Sequence, residues 1–421
     1  MTINLLIVKN FKCFEELQLT LKDGLNILYG TNGTGKTAVL EALCIAAGSF
    51  FMKLSEVEKR DFKVSDIRLA FNDDIPSYQF PVEIITYGKV MNEQINWTRT
   101  LNTIEGGITS TKAREIAKLS ERTNDIIQTN EAVILPLIAY FSTQRLFSER
   151  KESKKTPIGR LSAYYNALNA TSTRKYIQAW FRDAEFEQYQ KRQTQANYTN
   201  VHLESIKQLV LAHFDEWQRF YYYEPATNSR IDNGLFFVHK DGRIIPENLL
   251  SDGYRNFLWL LLDIAWRCHI LNPFLNEKAA TETNGIVLID EIELHLHPKW
   301  QQRIADVLTS AFPQLQFVLT THSPIVLGSE KANVLLLNNN EVRESGNLYG
   351  AKPSFILETF MDVQERLPKL SNIIKQYLVL VSNGKGTEKE ASELREKLNE
   401  NMSPNDPLFA EADALIHFYS L

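Results

Sequence analysis

Short apolar runs divided by breakers set the pattern of the first fifty residues. Residues 3–8 are mainly apolar, residues 17–21 alternate apolar with polar, and residues 25–29 form another short apolar run. Runs of this length predict β-strands. A glycine-rich turn follows, and residues 36 to about 47 carry a helical pattern. Residues 82–86 and 94–100 read as strands separated by Gly88, Asn92 and similar breakers, which predicts antiparallel sheet. Residues 112–128 are polar and helix-prone, and 133–141 return to an apolar strand.

The middle of the chain is less regular. Residues 148–157 read SERKESKKTP, a charged loop. Residues 173–192 and 202–220 carry helical periodicity, and 235–239 read as a strand. From Ser251 the pattern is α/β again: a helix to about Leu271, a polar linker at 276–284, a strand at 286–289, a helix from Pro298, and strands at 317–319 and 333–337. The last seventy residues are mainly helical and charged, and no solenoid-length repeat is visible.

Composition narrows the class. With 421 residues, 44% apolar and 23% charged, the chain is long enough for two or three domains and has globular rather than disordered character. Lys plus Arg is 46 against 51 for Asp plus Glu, net −5. A nucleic-acid binder driven by overall charge is thereby excluded, so any DNA contact must be a local patch. The longest apolar stretches, 132–141 with Pro136 and 257–266 with Asp263, are too short to span a bilayer, and the N-terminus has no signal pattern. Cys13, Cys44 and Cys268 lie far apart, which excludes a disulfide scaffold or a cysteine-only zinc site and fits a reducing cytoplasm.

Three segments carry chemistry. Gly30-Thr31-Asn32-Gly33-Thr34-Gly35-Lys36-Thr37 follows a predicted strand and opens a predicted helix, the context a phosphate-binding loop requires. Its glycines let backbone N–H groups turn inward, the helix N-terminus adds positive potential, Lys36 reaches β- and γ-phosphates, and Thr37 holds Mg²⁺. The strand at 286–289 ends in Asp290 and Glu291. Asp290 there steers the metal through water, and Glu291 orients or deprotonates an attacking water. Thr320-Thr321-His322 ends another apolar strand, where an imidazole can hydrogen-bond a γ-phosphate.

The order of these pieces resembles the ABC-type ATPases of the SMC, RecF and OLD group. Leu250-Ser251-Asp252-Gly253-Tyr254-Arg255 is similar to that family's signature, with Asp252 in place of a glycine and Tyr254 in place of a glutamine. Ser251 also precedes an apolar helical stretch and is a natural N-cap. Residues 293–298 resemble the D-loop region of OLD-like members, and Gln144 sits where the family's Q-loop glutamine would reach Mg²⁺. The stretch at 140–145, the Ser-Asp-Gly-Tyr-Arg form and the compact helical tail resemble more narrowly the stand-alone bacterial ATPases typified by the Septu ATPase subunit.

The resemblance implies an α/β fold: a P-loop ABC-type head with an antiparallel β lobe, a short helical insertion and a helical C-terminal tail. The expected division is 1–144 and 235–350 for the two parts of the head, 145–234 for the insertion, and 351–421 for the tail. It implies ATP and Mg²⁺ as cofactors and a homodimer or higher oligomer formed through ATP. Ser251, Asp252 and Gly253 of one subunit would then complete the site of the other. It further implies a slow ATPase that gates a separate nuclease or toxin effector of HNH type in defence against phage.

Two other readings stay open, a RecF-like DNA-binding ATPase of repair or recombination and a scaffold using ATP structurally. Long SMC arms are excluded, because no sustained heptad lies between Gln144 and Ser251. A TOPRIM-type nuclease is not expected either. After His322 the aspartates are Asp362, Asp406 and Asp413, none two apart. The basic residues around 145–160 and 174–192 are interleaved with acids, so they read first as a solvated surface, with DNA contact left open.

Overall fold

A computed structural model describes residues 1–105, 113–129, 131–143, 159–169, 173–225, 232–338, 340–364 and 366–420. Gln144 and the charged segment 148–157 lie outside them. In chain order, β1 (Thr2–Phe11), β2 (Phe14–Thr20) and β3 (Leu25–Tyr29) precede α1 (Lys36–Ala47). A ribbon of β4 (Leu69–Asn72) and β5 (Ile75–Tyr78) and a hairpin of β6 (Val82–Val90) and β7 (Glu93–Leu101) lead to α2 (Arg114–Gln128) and β8 (Leu137–Phe141). Then come α3 (Arg174–Arg192), α4 (Val201–His213), β9 (Trp217–Tyr223), β10 (Gly234–His239), β11 (Ile244–Pro246) and α5 (Asp252–Leu271). The first of two units, 1–352, ends with α6 (Ala279–Glu282), β12 (Gly285–Ile289), α7 (Pro298–Gln301), α8 (Ile304–Ala311), β13 (Leu315–Thr320), α9 (Pro324–Leu327), β14 (Asn333–Asn338) and β15 (Glu341–Glu344).

The central sheet has the order β15-β14-β3-β13-β12-β8 and is parallel except for β15 at its edge. β3, β8, β12 and β13 are buried at every position. Strands covered on both faces need continuous apolar runs, which is why these read so clearly in the sequence. Parallel alignment puts the C-terminal ends of β3, β12 and β13 on one edge, and the chain leaves that edge through residues 30–35, 290–291 and 321–322. Ligand sites of open α/β sheets form at this edge.

A second, antiparallel sheet, β2-β1-β6-β7, is the β lobe. Two buried amides join it to the central sheet. The Gln316 side chain accepts from the Ile3 N–H at 2.8 Å and donates to the carbonyls of Ile3 at 2.8 Å and Lys22 at 3.0 Å. Asn26 donates to the Lys22 carbonyl at 2.8 Å and accepts from the Asn333 amide at 2.9 Å. Trp97 of β7 donates to the Ala46 carbonyl at the end of α1 at 2.9 Å, which fixes that helix against the lobe. A third sheet, β11-β10-β9, lies beside the α3–α4 helices.

Three elements depart from the sequence reading. The helix expected over 202–220 stops at His213, and Trp217–Tyr223 is strand β9. Its run of aromatics favours a pleated surface, and Phe220 stacks on Phe237 of β10 at 4.9 Å. The insertion is therefore not wholly helical. The linker at 276–284 holds a 3₁₀ turn, Pro273–Lys278, and α6. The strand expected from 133 begins at Leu137, after Pro136.

The second unit, Pro353–Leu421, contains α10 (Pro353–Phe360), α11 (Pro368–Ser382), α12 (Lys389–Asn401) and α13 (Pro407–Ser420). Its core includes Tyr377, Val381, Leu398, Phe409 and Ala412. The Arg366 guanidinium donates to both oxygens of Asp406 at 2.9 and 2.8 Å, and Arg395 donates to Asp413 at 3.1 Å. Among the described residues no helix is long and apolar enough to cross a membrane.

One histidine pair, His269 buried and His202 half-buried, makes stability depend on pH. His202 of α4 and His269 of α5 place their Nδ1 atoms 3.3 Å apart. Burial, and then the nearby His202, pushes the His269 imidazole down to about 3, and burial lowers His202 as well. The unfolded chain therefore takes up protons first as pH falls below about 6.5. Stability is expected to fall from there towards pH 3, with His269 alone accounting for about 2 kcal/mol of loss by pH 5. Urea unfolding at pH 7 and pH 5 checks this: wild type should lose about 2 kcal/mol more than His269→Gln.

Candidate functional site

The loop at 30–37 is shaped by close packing. Gly35 has φ +96°, and a Cβ there would run into the Phe14 ring and the Cys13 sulfur. Only glycine fits this conformation at this distance. α1 begins at Lys36 with no side-chain cap, so its first amides are left for the loop. Lys36 is 7% exposed, and its Nζ donates to the carbonyls of Gly30 and Thr31, both at 3.0 Å. The ammonium thus crosses the loop from below. Burial lowers its pKa, while Asp290, Glu291 and Glu293 act in the opposite direction. Thr31, Asn32, Gly33 and Thr37 are exposed, and the Thr34 hydroxyl closes the loop on the Thr31 carbonyl at 3.0 Å.

Across the edge, Asp290 is 3% exposed and held between two hydroxyls. Thr37 donates to its Oδ2 at 2.9 Å, and Thr320 at the end of β13 donates to its Oδ1 at 2.6 Å. Thr320 also accepts from the Glu291 N–H at 2.8 Å. Glu291 is half-buried with φ +46°, a left-handed turn that costs a non-glycine residue about 1 kcal/mol. Glu293 accepts from the Thr321 hydroxyl at 2.7 Å and from the His322 N–H at 2.5 Å. The structure therefore brings Lys36, Thr37, Asp290, Glu291 and His322 to one edge. The sequence reading assigned no role to Thr320 and gave Glu293 only a place in the D-loop-like segment, yet these two residues tie the segments together. Their only signal was the pair of threonines before His322 and a third acid after Glu291.

The signature segment sits elsewhere. Ser251 occupies the N-cap position of α5, but its hydroxyl makes no capping bond and is exposed, contrary to the expected cap. Asp252 is exposed and accepts from Arg255 at 2.6 Å. A Cβ on Gly253 would collide with the His295 carbonyl, and Asn256 donates to the Leu294 carbonyl at 3.2 Å. The segment therefore packs on residues 294–296 of its own chain. Among the described residues no hydrogen bond or ion pair joins 251–253 to 30–37. Tyr254, in the glutamine position, turns inward: its hydroxyl bonds the Trp217 indole and its ring packs on Phe214 and Trp300. Gln144 lies outside the described residues.

The basic residues of α3 are engaged locally. Lys191 pairs with Glu187, Arg182 with Asp183, and Arg174 with Glu247. Phe181 is fully buried, and Tyr221 stacks on Phe236.

The family model of an AAA domain matches residues 6–210. A retron Ec83 probable ATPase of Escherichia coli is 26% identical, covering 96% of this chain and 84% of that protein. The Septu protein PtuA of Bacillus thuringiensis is 24% identical over 96% of both chains. The solved SMC head bound to the C-winged helix domain of ScpA covers 82% of this chain and 97% of its own, at 14% identity and TM-score 0.48. By these comparisons the chain is similar to ATPases of AAA type. Within that class its similarity to the retron and Septu proteins runs through nearly its whole length.

Two glycines separate loop strain from a role in binding. Gly24 has φ +76° but opens onto empty space, whereas Gly35 is hemmed in. Gly35→Ala is expected to weaken binding of a fluorescent ATP analogue by at least about tenfold, and Gly24→Ala to lower stability by about 1 kcal/mol with binding unchanged. Equal loss of binding in both would remove the special place of Gly35.

Proposed function

We propose that this chain is an ATP-driven switch that closes as a head-to-tail pair around ATP and gates a separate effector. The observation that supports it best is the Thr37–Asp290–Thr320 bridge, which joins the phosphate loop to the acidic strand end. Its hydroxyl and carboxylate oxygens are the hard donors that suit Mg²⁺, and the loop amides with Lys36 suit a triphosphate. When bound, Mg²⁺ supplies charge neutralisation at the β- and γ-phosphate oxygens.

The roles of the chain's own residues follow. Lys36 exchanges the Gly30 and Thr31 carbonyls for phosphate oxygens. Glu291 accepts the proton of the attacking water, and His322 contacts the γ-phosphate. Ser251 and Gly253 present a free hydroxyl and backbone N–H groups to the nucleotide held by the other subunit. The exposed, uncapped Ser251 hydroxyl fits that task. Binding favours the closed pair and hydrolysis releases it, with slow turnover, because the product of such a switch is a conformation.

The effector we favour is a nuclease of HNH type acting in the bacterial cytoplasm against phage. Similarity to the Septu and retron proteins favours a defence role with a separate effector, and the HNH type follows from the family resemblance of the motifs alone. Glu291→Gln is expected to trap a dimer in Mg²⁺-ATP by light scattering, whereas Lys36→Ala stays monomeric. A monomeric Glu291→Gln at saturating ATP would overturn the closed pair. A nuclease encoded beside this chain should co-purify with it in an ATP-dependent manner. DNA binding that needs ATP but no such neighbour would favour the RecF-like reading instead.

A further inference from the structure

Glu247 is a buried acid that the mechanism above does not use. It is 3% exposed and opens the 3₁₀ turn Glu247–Leu249, which links β11 to the signature segment. The turn itself needs only its backbone: the Leu250 N–H donates to the Glu247 carbonyl at 3.2 Å. The side chain instead crosses to α3, where its Oε1 accepts from Arg174 at 2.8 Å and from the Gln178 amide. Arg174 lies over the Trp259 ring of α5, 5.4 Å from its centre. Gly234 at the start of β10 leaves room for the contact, since a side chain there would press on Glu247 and Gln178.

One carboxylate therefore ties the start of α3 to the turn that presents Ser251, with Gly234 of β10 close beside it. Burial pushes its pKa up, and Arg174, the Trp259 indole and Arg255 pull it down. Arg255 also holds Asp252 of the signature, so the charge pattern runs from α3 into the segment itself. A carboxyl group this buried is costly and depends on such partners. Removing it frees the turn and leaves Arg174 without its counter-charge.

We propose that Glu247 is a positioning residue for residues 250–253, setting where Ser251 meets the partner subunit's nucleotide, and that Arg174 makes the α3–α4 hairpin an input to that position. The proposal deepens the closed-pair reading and rests on it.

Mixed dimers test both separately. In a head-to-tail pair each site takes its phosphate loop from one subunit and its signature from the other. A dimer of one Lys36→Ala and one Glu247→Ala subunit then has one doubly defective site and one intact site. Each variant alone should lose at least about tenfold in turnover. Glu247→Ala should bind the fluorescent ATP analogue within about twofold of wild type, because its own phosphate loop is untouched. Its ATP-dependent dimer, read by light scattering, should be weakened.

The one-to-one mixture should regain as much turnover as a reference mixture of Lys36→Ala with Ser251→Ala. Arg174→Ala should behave as Glu247→Ala, and Glu247→Gln, whose amide oxygen still accepts from Arg174 and Gln178, should stay within about threefold of wild type. If the reference mixture recovers and the Glu247 and Arg174 mixtures do not, the positioning role is overturned and the closed pair stands. If the reference mixture fails to recover, the closed pair falls and the proposal with it.

Discussion

The site depends on one carboxylate held between two hydroxyls. Asp290 leaves β12 buried, and its two oxygens are taken by Thr37 from the phosphate-loop helix and Thr320 from the neighbouring strand. A buried carboxylate is stable only when such donors satisfy it. The same three residues therefore fix the distance between loop, acidic edge and the segment carrying His322. Glu293 extends the arrangement by holding Thr321 and the His322 backbone. Lys36, which donates to two loop carbonyls, ties the loop to the start of its own helix.

The signature segment is built into a different part of the chain for an equally physical reason. Gly253 lets α5 approach the His295 carbonyl, and Asn256 bonds the Leu294 carbonyl, so helix and acidic-edge loop form one block. Tyr254 faces inward among Trp217, Phe214 and Trp300, which removes it from the surface where the related signatures carry a glutamine. In the proposed reading each head thus carries two halves of two different sites. Gln316 and Asn26 join the β lobe and the loop after β2 to the central sheet that carries the phosphate loop.

The buried strands were legible because parallel strands covered on both faces must be apolar throughout, and the loop at 30–37 was legible because its three glycines and Lys36 fall within one short stretch. Asp290, Glu291 and His322 were found as polar ends of such strands. The helix over 202–220 was misread because Phe214, Trp217 and Phe220 recur at helical spacing. Their place is decided by Phe237 and Trp300, which lie far away in sequence. The amphipathic tail read as helical, and its helices bury Tyr377, Leu398 and Phe409 in one core.

The amino-acid sequence by itself determined the α/β class, the order of the strands' apolar runs and the residues of the phosphate loop and acidic edge. These are local patterns, set by residues adjacent in the chain. Tertiary structure alone decided that Thr320 and Glu293 are the struts of the site, that Ser251 is left uncapped, and that Glu247 reaches α3. The struts and the Glu247 contact join segments about thirty to seventy residues apart, and hydrogen bonds across such separations leave no periodic trace in the chain that makes them.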